Sequence, residues 1–153
     1  MFKIRSDVFL ADYDLTIWHG GNVQVKSVSA LLEHVGEAEF ATLLHEFRET
    51  IWDEAEVCIR NGLDDPDVIR RQVQRYVEAG FDGSPLYAAF LVVRRNTGLI
   101  TALNSCWWDE VQGGSVRDQI SLPFCLWRCG VEVRVIPGGV ASGPFHRRRG
   151  HGE

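Results

Sequence analysis

The run from Leu86 to Arg95 constrains the fold most: an apolar stretch closed by two arginines, the pattern of a strand buried on both faces. Such a strand belongs in a layered structure in which helices cover the sheet. Helical patterns surround it. Asp65-Pro66 marks a helix start, aspartate capping and proline in the first turn, with Ile69, Val73, Tyr76 and Val77 as the buried face and Gly80 as the end. After the run, Leu99, Leu103, Trp107 and Val111 recur every four residues and define the buried stripe of a second helix. A third helix carries Pro123, which is expected to kink it.

Upstream, Val8-Phe9-Leu10 and Leu15 to Trp18 read as short strands around the acidic Asp12-Tyr13-Asp14, and Val23 to Lys26 as another. Ser27 caps a short helix with Val28, Leu31, Leu32 and Val35 on one face. Phe40 to Leu44 either joins the long helix that ends before Gly62 or forms a separate strand stopping at His45. Val131 to Val135 alternates as a strand with one covered and one wet face. No repeat or interdomain linker interrupts the pattern. One domain is expected over residues 1–146, an α/β structure with a mixed sheet flanked by helices, followed by a basic tail, 147–153.

The chain of 153 residues is 45% hydrophobic and 24% charged, enough for a real core. Its formal charge of -5 argues against a general nucleic-acid binder, which needs a basic surface. Arg147-Arg148-Arg149 reads as a solvated tail, with contact to a phosphate-bearing ligand as the other reading. No apolar stretch approaches the roughly 20 residues of a membrane span. The N-terminus lacks the segments of a signal peptide, so a cytoplasmic location is expected. Of the four cysteines, Cys58, Cys106, Cys125 and Cys129, the last two lie one helical turn apart and read as buried thiols rather than zinc ligands.

The richest chemistry lies between Trp107 and Ser121: Trp107-Trp108-Asp109-Glu110, then Gly113-Gly114-Ser115, then Arg117-Asp118-Gln119 and Ser121. Trp107 falls on the apolar stripe and belongs to the core; Trp108 and Glu110 fall off it. The glycine pair is expected to end the helix through a left-handed conformation. Ser115 is expected to cap the next helix, with Arg117 and Asp118 in its first turn, where backbone N–H groups favour an anion. The plainer reading has Asp118 complementing the helix dipole and Arg117 pairing with it or with Glu110. His45 with Arg48, and Gln72 with Tyr76, read as structural pairs.

The phrase from Val8 to Ile17 contains Asp12-Tyr13-Asp14-Leu15-Thr16, a DxDxT pattern after an apolar segment, as in haloacid-dehalogenase-like phosphatases. Those enzymes also use a downstream lysine and a later acidic pair. Here the only lysines are Lys3 and Lys26, and Asp64-Asp65 lies in a helix-capping loop.

A second resemblance takes in residues 7 to 149. Tyr13 to Asn22, His45 with Arg48 and Glu54-Ala55, Gln72 with Tyr76 and Gly80, Arg94-Arg95, and above all Trp107-Trp108-Asp109-Glu110 with Ser115-Val116-Arg117-Asp118-Gln119-Ile120-Ser121 occur in family order. The chain resembles the glycosyltransferase-like domain family of the plant turgor-regulation-defect and mucilage-related proteins. The resemblance implies a nucleotide-diphospho-sugar transferase (GT-A) type of fold, here N-terminally truncated because the preceding β-α units that bind the base are missing. It implies a nucleotide-sugar donor at the carboxyl ends of the strands and a glycan or other hydroxyl acceptor. His19 and Asn22 would approach the sugar diphosphate. Arg94, Arg95, Trp108, Glu110, Arg117, Asp118 and Gln119 would surround sugar and acceptor, with Asp118 or Glu110 accepting the acceptor's proton and Trp108 stacking on a sugar. His146 would approach the metal or diphosphate.

A divalent metal, manganese or magnesium, is implied as well. The family pattern reads W-x-D-G-N in the first loop; this chain reads Trp18-His19-Gly20-Gly21-Asn22, so glycine stands where a hard oxygen ligand is expected. Two readings follow, a transferase with an impaired metal site and a noncatalytic sugar- or nucleotide-binding pseudoenzyme. The phosphatase stands third.

Overall fold

The computed structural model describes residues 1–149; the end of the basic tail, including His151, lies outside the described residues. A four-stranded mixed sheet runs through the domain. Its strands are β1 (Leu15–His19), β3 (Phe40–Leu44), β4 (Tyr87–Arg95) and β5 (Val133–Val135), in the order β1-β4-β3-β5. β4 is antiparallel to both neighbours, and β5 runs parallel to β3. A two-stranded antiparallel ribbon pairs β2 (Val23–Val25) with β6 (His146–Arg148). The expected α/β architecture, a mixed sheet flanked by helices, is what the chain forms.

β4 justifies its apolar sequence. Tyr87, Ala89 and Val92 enter the larger core, beneath α3 (Ile51–Arg60), α4 (Pro66–Glu78), α5 (Gly98–Gly113) and α6 (Asp118–Cys129). Ala88, Leu91 and Val93 enter the smaller one, with Leu31 and Val35 of α2 (Val28–Val35). Side chains of a strand alternate between faces, so one central strand feeds both cores. Helix starts follow their sequences: Ser27 caps α2, Thr50 and Asp53 form a reciprocal capping box on α3, Asp65 caps α4 ahead of Pro66, and Thr97 caps α5. Phe40–Leu44 is a strand in its own right, separated from α3 by the segment containing His45 and Arg48.

Several expectations are corrected. Val8-Phe9-Leu10 is no strand: Ser6–Phe9 form a single-turn helix, α1, and Val8, Phe9 and Leu10 are exposed with no sheet partner. Asp12 and Asp14 therefore lie in an exposed turn before β1, at its amino end, and the strand that the phosphatase reading needs is absent. On α5 the buried positions are Ile100, Leu103, Asn104, Trp107 and Glu110; Leu99 is exposed, and Glu110 lies on the stripe rather than off it. The next helix starts at Asp118 with Arg117 as N-cap, two residues later than a Ser115 cap predicts. Gly113 and Gly114 do not adopt left-handed backbone; Gly114 has φ -138°. Its requirement is space, because a Cβ there would stand 2.6 Å from the Gln72 amide. Val28 and Val77, assigned to buried faces, are exposed. The arginine run is no free tail along its described part: Arg147 and Arg148 belong to β6, paired with Gln24 and Val23. Among the described residues no helix is long and apolar enough to cross a membrane.

Candidate functional site

The segment Trp107–Ser121 divides into two environments. The first begins at Glu110, only 8% exposed. Its Oε2 accepts from the Tyr76 hydroxyl at 2.8 Å and from Arg75 at 2.9 Å. Gln72 donates through Nε2 to Tyr76 Oη at 2.8 Å and to the Glu110 carbonyl at 3.2 Å, while its Oε1 accepts the Ser115 backbone N–H. Asp64 completes the network by accepting from Ser115 Oγ and the Val116 N–H. Burial pushes the Glu110 carboxyl up, but the hydrogen bonds from Arg75 and Tyr76 and the Arg75 charge outweigh it and hold it below the usual carboxylate range. Burial and the same carboxylate drive Tyr76 upward, so its hydroxyl stays a donor. Every polar group here has a partner inside the protein. Gln72, Tyr76, Glu110, Gly114 and Ser115 thus form a clamp joining α4 to the α5–α6 connection.

The second environment is a cleft of about 340 Å³ at the carboxyl ends of β1 and β3. Lys3, Trp18, His45, Phe47, Arg48, Phe90, Gln119 and Arg148 supply its functional groups. Open α/β sheets bind ligands at this edge, and the volume suits a small molecule. A neighbouring hollow of about 500 Å³ shares Phe47, Val140 and Arg148 with it and is lined further by Asn22, Arg149 and Glu46, whose carboxylate accepts the Val140 N–H at 2.8 Å.

Local structure aims each group. Trp107 is fully buried and donates from Nε1 to the Asp118 carbonyl at 2.9 Å, which fixes the start of α6 and hence Gln119. Lys3 Nζ lies 2.6 Å from Asp118 Oδ2 and 4.7 Å over the Trp18 ring. Burial depresses the Lys3 pKa, Asp118 opposes that shift, and Arg94 and Arg117 add to it. Arg48 pairs at 2.5 Å with Glu54, which is 3% exposed at the start of α3. Both carboxylates sit outside the cleft lining and hold cations at its wall.

The donors outnumber the acceptors. His45 Nδ1 faces the backbone N–H groups of Phe47 and Arg48 at 3.2 and 3.0 Å, and Nε2 faces Arg48 Nη2 at 2.9 Å. Burial first and the Arg48 charge second lower the His45 pKa and keep the ring neutral. A neutral imidazole has one ring lone pair, so three surrounding N–H donors leave at least one without an acceptor. Gln119 Nε2 is likewise buried and unpartnered.

The remaining candidates are dispersed. Arg94 and Arg95 point to opposite faces of β4. Arg94 is 1% exposed and donates to the Ile4 carbonyl at 3.1 Å, to Asn104 at 3.0 Å and to the Lys3 carbonyl at 2.5 Å, so it anchors the segment that carries Lys3; burial pushes its pKa down to about 10. Arg95 donates to the Gly36 carbonyl at 2.6 Å, at the amino end of β3 and away from the cleft. Trp108 is half-buried against the larger core and Glu110 is in the clamp; neither lines the cleft. Arg117 lies near Lys3 and Cys58, its Nε buried without a partner. Asp118 stands behind Lys3. His19 turns to a separate hollow with Asn22, Gln24 and Arg149. His146 is fully buried, its Nε2 2.9 Å from the Gly139 carbonyl.

Lys3, Phe47 and Phe90 carry no site expectation from the sequence, His45 with Arg48 reads there as a structural pair, and Arg148 enters only through the alternative reading of the basic run. Phe47 carried a readable signal, an aromatic directly after a strand and beside His45 and Arg48; it is 71% exposed. A wider hollow of about 760 Å³ opens at the amino ends of β3 and β5, but Glu37, Glu39 and Glu132 make it acidic and it contains none of the site candidates.

The sequence matches the family model TOD1/MUCI70, glycosyltransferase-like domain, over residues 11–136. The chain belongs to this family. Neither a curated protein nor a solved structure matches it. For a TOD1/MUCI70 domain the metal implied by the transferase resemblance has to be tested against the side chains present. Gly20 supplies no ligand, no carboxylate lines the cleft, and among the described residues no three His, Cys, Asp or Glu side chains converge as a metal group. The donor set does not fit a divalent ion.

Proposed function

We propose that this domain binds a nucleotide-sugar donor in the cleft between Trp18, Phe47, Arg148 and Gln119 and transfers its sugar to a hydroxyl acceptor. The observation that carries the reading is the surplus of hydrogen-bond donors and cations, Lys3, His45, Arg48, Gln119 and Arg148, at the carboxyl edge of the sheet in a glycosyltransferase-like domain. A diphosphate supplies acceptor oxygens for Arg148 and Gln119 and for the donor positions of Lys3 and Arg48 that Asp118 and Glu54 do not occupy. Trp18 and Phe47 offer flat apolar faces to a sugar or base.

In the reaction, the bond from the anomeric carbon to the phosphate oxygen breaks and a bond to the acceptor oxygen forms. The acceptor's proton passes to a carboxylate, and the nucleoside diphosphate leaves. Asp118, 2.6 Å behind Lys3 and 27% exposed, is the carboxylate next to the cleft and takes the proton once the donor's phosphates draw Lys3 away from it. Glu110 is held by Arg75 and Tyr76 and serves the fold. Arg117 assists from beside Lys3, whereas Arg94 positions Lys3 without touching substrate.

The test is incubation of the purified chain with uridine- and guanosine-diphospho-sugars and hydroxyl acceptors, with products followed by mass spectrometry. Asp118→Asn should lower transfer about a hundredfold or more, the loss of a general base, while donor binding persists. Absence of binding to every sugar nucleotide would sink the donor reading. Binding without turnover would identify a sugar-nucleotide-binding module instead.

A further inference from the structure

We propose that the protein neutralises the donor's diphosphate with its own cations and hydrogen-bond donors and needs no divalent metal. This deepens the nucleotide-sugar reading and rests on it. Three observations converge. The first is a metal loop without its acid: Gly20 has room for a side chain, since a Cβ would meet Asn22 and Val23 at ordinary contact distances of 3.5 and 3.7 Å, yet it contributes no oxygen. The missing ligand is thus not a steric necessity of the loop.

The second is what lines the cleft in its place. Lys3, Arg48 and Arg148 come from three separate parts of the chain, the N-terminal segment, the loop after β3 and the ribbon strand β6, and meet at one cavity whose lining contains no carboxylate. Asp118 and Glu54 offset two of these charges and Arg148 has no ion pair among the described residues, so an anion in the cleft gains its charge-assisted contacts from Arg148 and from the remaining donors of Lys3 and Arg48. Asp118 and Glu54 hold two of the cations from behind, at 2.6 and 2.5 Å, so the charges are fixed in advance rather than drawn from solvent. Preorganised donors of this kind bind an anion without the cost of gathering them.

The third is the unmet hydrogen-bonding around His45 and Gln119. One lone pair on the His45 ring faces three N–H donors, and Gln119 Nε2 is buried with no partner. A phosphate oxygen satisfies such groups directly. A metal ion, which itself needs acceptors, cannot. Neutral and cationic donors therefore take over the charge stabilisation that a magnesium or manganese ion supplies elsewhere.

The deciding experiment is calorimetric titration of the whole chain with UDP, GDP and ADP, in buffer with EDTA and in buffer with manganese. The expected result is binding of at least one nucleotide with the same affinity, within about twofold, in both buffers. Arg148→Glu, on an exposed ribbon residue whose change should leave the fold intact by circular dichroism, should weaken that binding about tenfold or more, the loss of one charge-assisted contact. Lys3→Gln should weaken it in the same direction and provides a second variant. Binding seen only with manganese would overturn the metal-free cradle and leave the donor reading standing. Metal-independent binding untouched by both substitutions would overturn the assignment of the cradle to this cleft. Failure of these nucleotides and of their sugar conjugates to bind in either buffer would overturn the donor reading and this inference together.

Discussion

Glu110 and Gln119 sit nine positions apart in one polar motif, and the protein treats them in opposite ways. Around Glu110 every donor finds an acceptor: Tyr76, Arg75 and Gln72 close on the carboxylate and its carbonyl, and Asp64 closes on Ser115. Around Gln119 the donors are left over, and the cavity beside them is open. A satisfied buried network rigidifies a fold, whereas an unsatisfied one at a cavity wall is a place for a ligand. The difference teaches that motif membership and polarity alone do not tell a residue braced inside the fold from one left open at a cavity wall; their hydrogen-bond partners distinguish Glu110 from Gln119.

The comparison breaks most readily at Glu110. Glu110→Ala should cost about 3 kcal/mol in a denaturant titration, because the buried Tyr76 hydroxyl loses its acceptor and the truncated side chain leaves a void beside it, while Gln72 keeps its bonds to Tyr76 and to the residue 110 carbonyl. The half-exposed Arg75 contributes less, since its guanidinium can return to water. A stability change near zero would mean that the clamp is not structural. Gly114→Ala attacks the same network from the backbone side. The new Cβ would press on the Gln72 amide at 2.6 Å, an overpacking expected to cost about 2 kcal/mol. Because Gly114 is not left-handed, the clash alone carries this prediction, and Gln72→Ala should restore part of the loss in the double variant.

The pH dependence sharpens the picture further. Glu110 has a native pKa below its ordinary value of 4.5, so its stabilisation is fully present above that value and disappears as the pH falls through the native one. Denaturation midpoints measured between neutral pH and about pH 3 should therefore drop, with a shallower drop in Glu110→Gln. Equal slopes in the two proteins would assign the acid sensitivity to other carboxylates.

Strand β4 and the starts of α2 and α4 were legible because they follow from local rules. Apolar β4 needs two cores, and Asp65-Pro66 and Ser27 are capping chemistry written in the chain; the Thr50–Asp53 start of α3 was hidden because Phe40 to Leu44 fitted a continuation of that helix as well as a strand. Val8-Phe9-Leu10 misled because an apolar triplet carries no periodicity and no strand of the sheet pairs with it; Phe9 meets Phe2 and the Leu10 carbonyl accepts from Asn96 instead. The site was less legible for a different reason. Lys3, Arg48, Gln119 and Arg148 meet only through long-range packing, and Lys3 lies outside the matched family region. Arg94 and Arg95 show the converse: adjacent arginines suggest one anion site, but a strand sends them to opposite faces. Glu110 reads as a base from its carboxylate alone; only the partners drawn in from α4 reveal a clamp.

The smallest expected change in stability falls at Phe47, and it bears most directly on the open half of the comparison. At 71% exposure this ring has little buried area to lose, so Phe47→Ala should leave the denaturation midpoint within about 0.5 kcal/mol of wild type. Its edge-to-face approach to His45, with centroids 6.2 Å apart, is too slight a contact to hold the loop that already bonds through His45 Nδ1. If the cleft receives a nucleotide, the same substitution removes a stacking surface and should weaken nucleoside diphosphate binding about tenfold, while inorganic pyrophosphate binding stays unchanged. Equal losses for the two ligands would place Phe47 among the supports of the cation cluster. A large stability loss would move it from the cleft to the fold, the side on which Glu110 already stands.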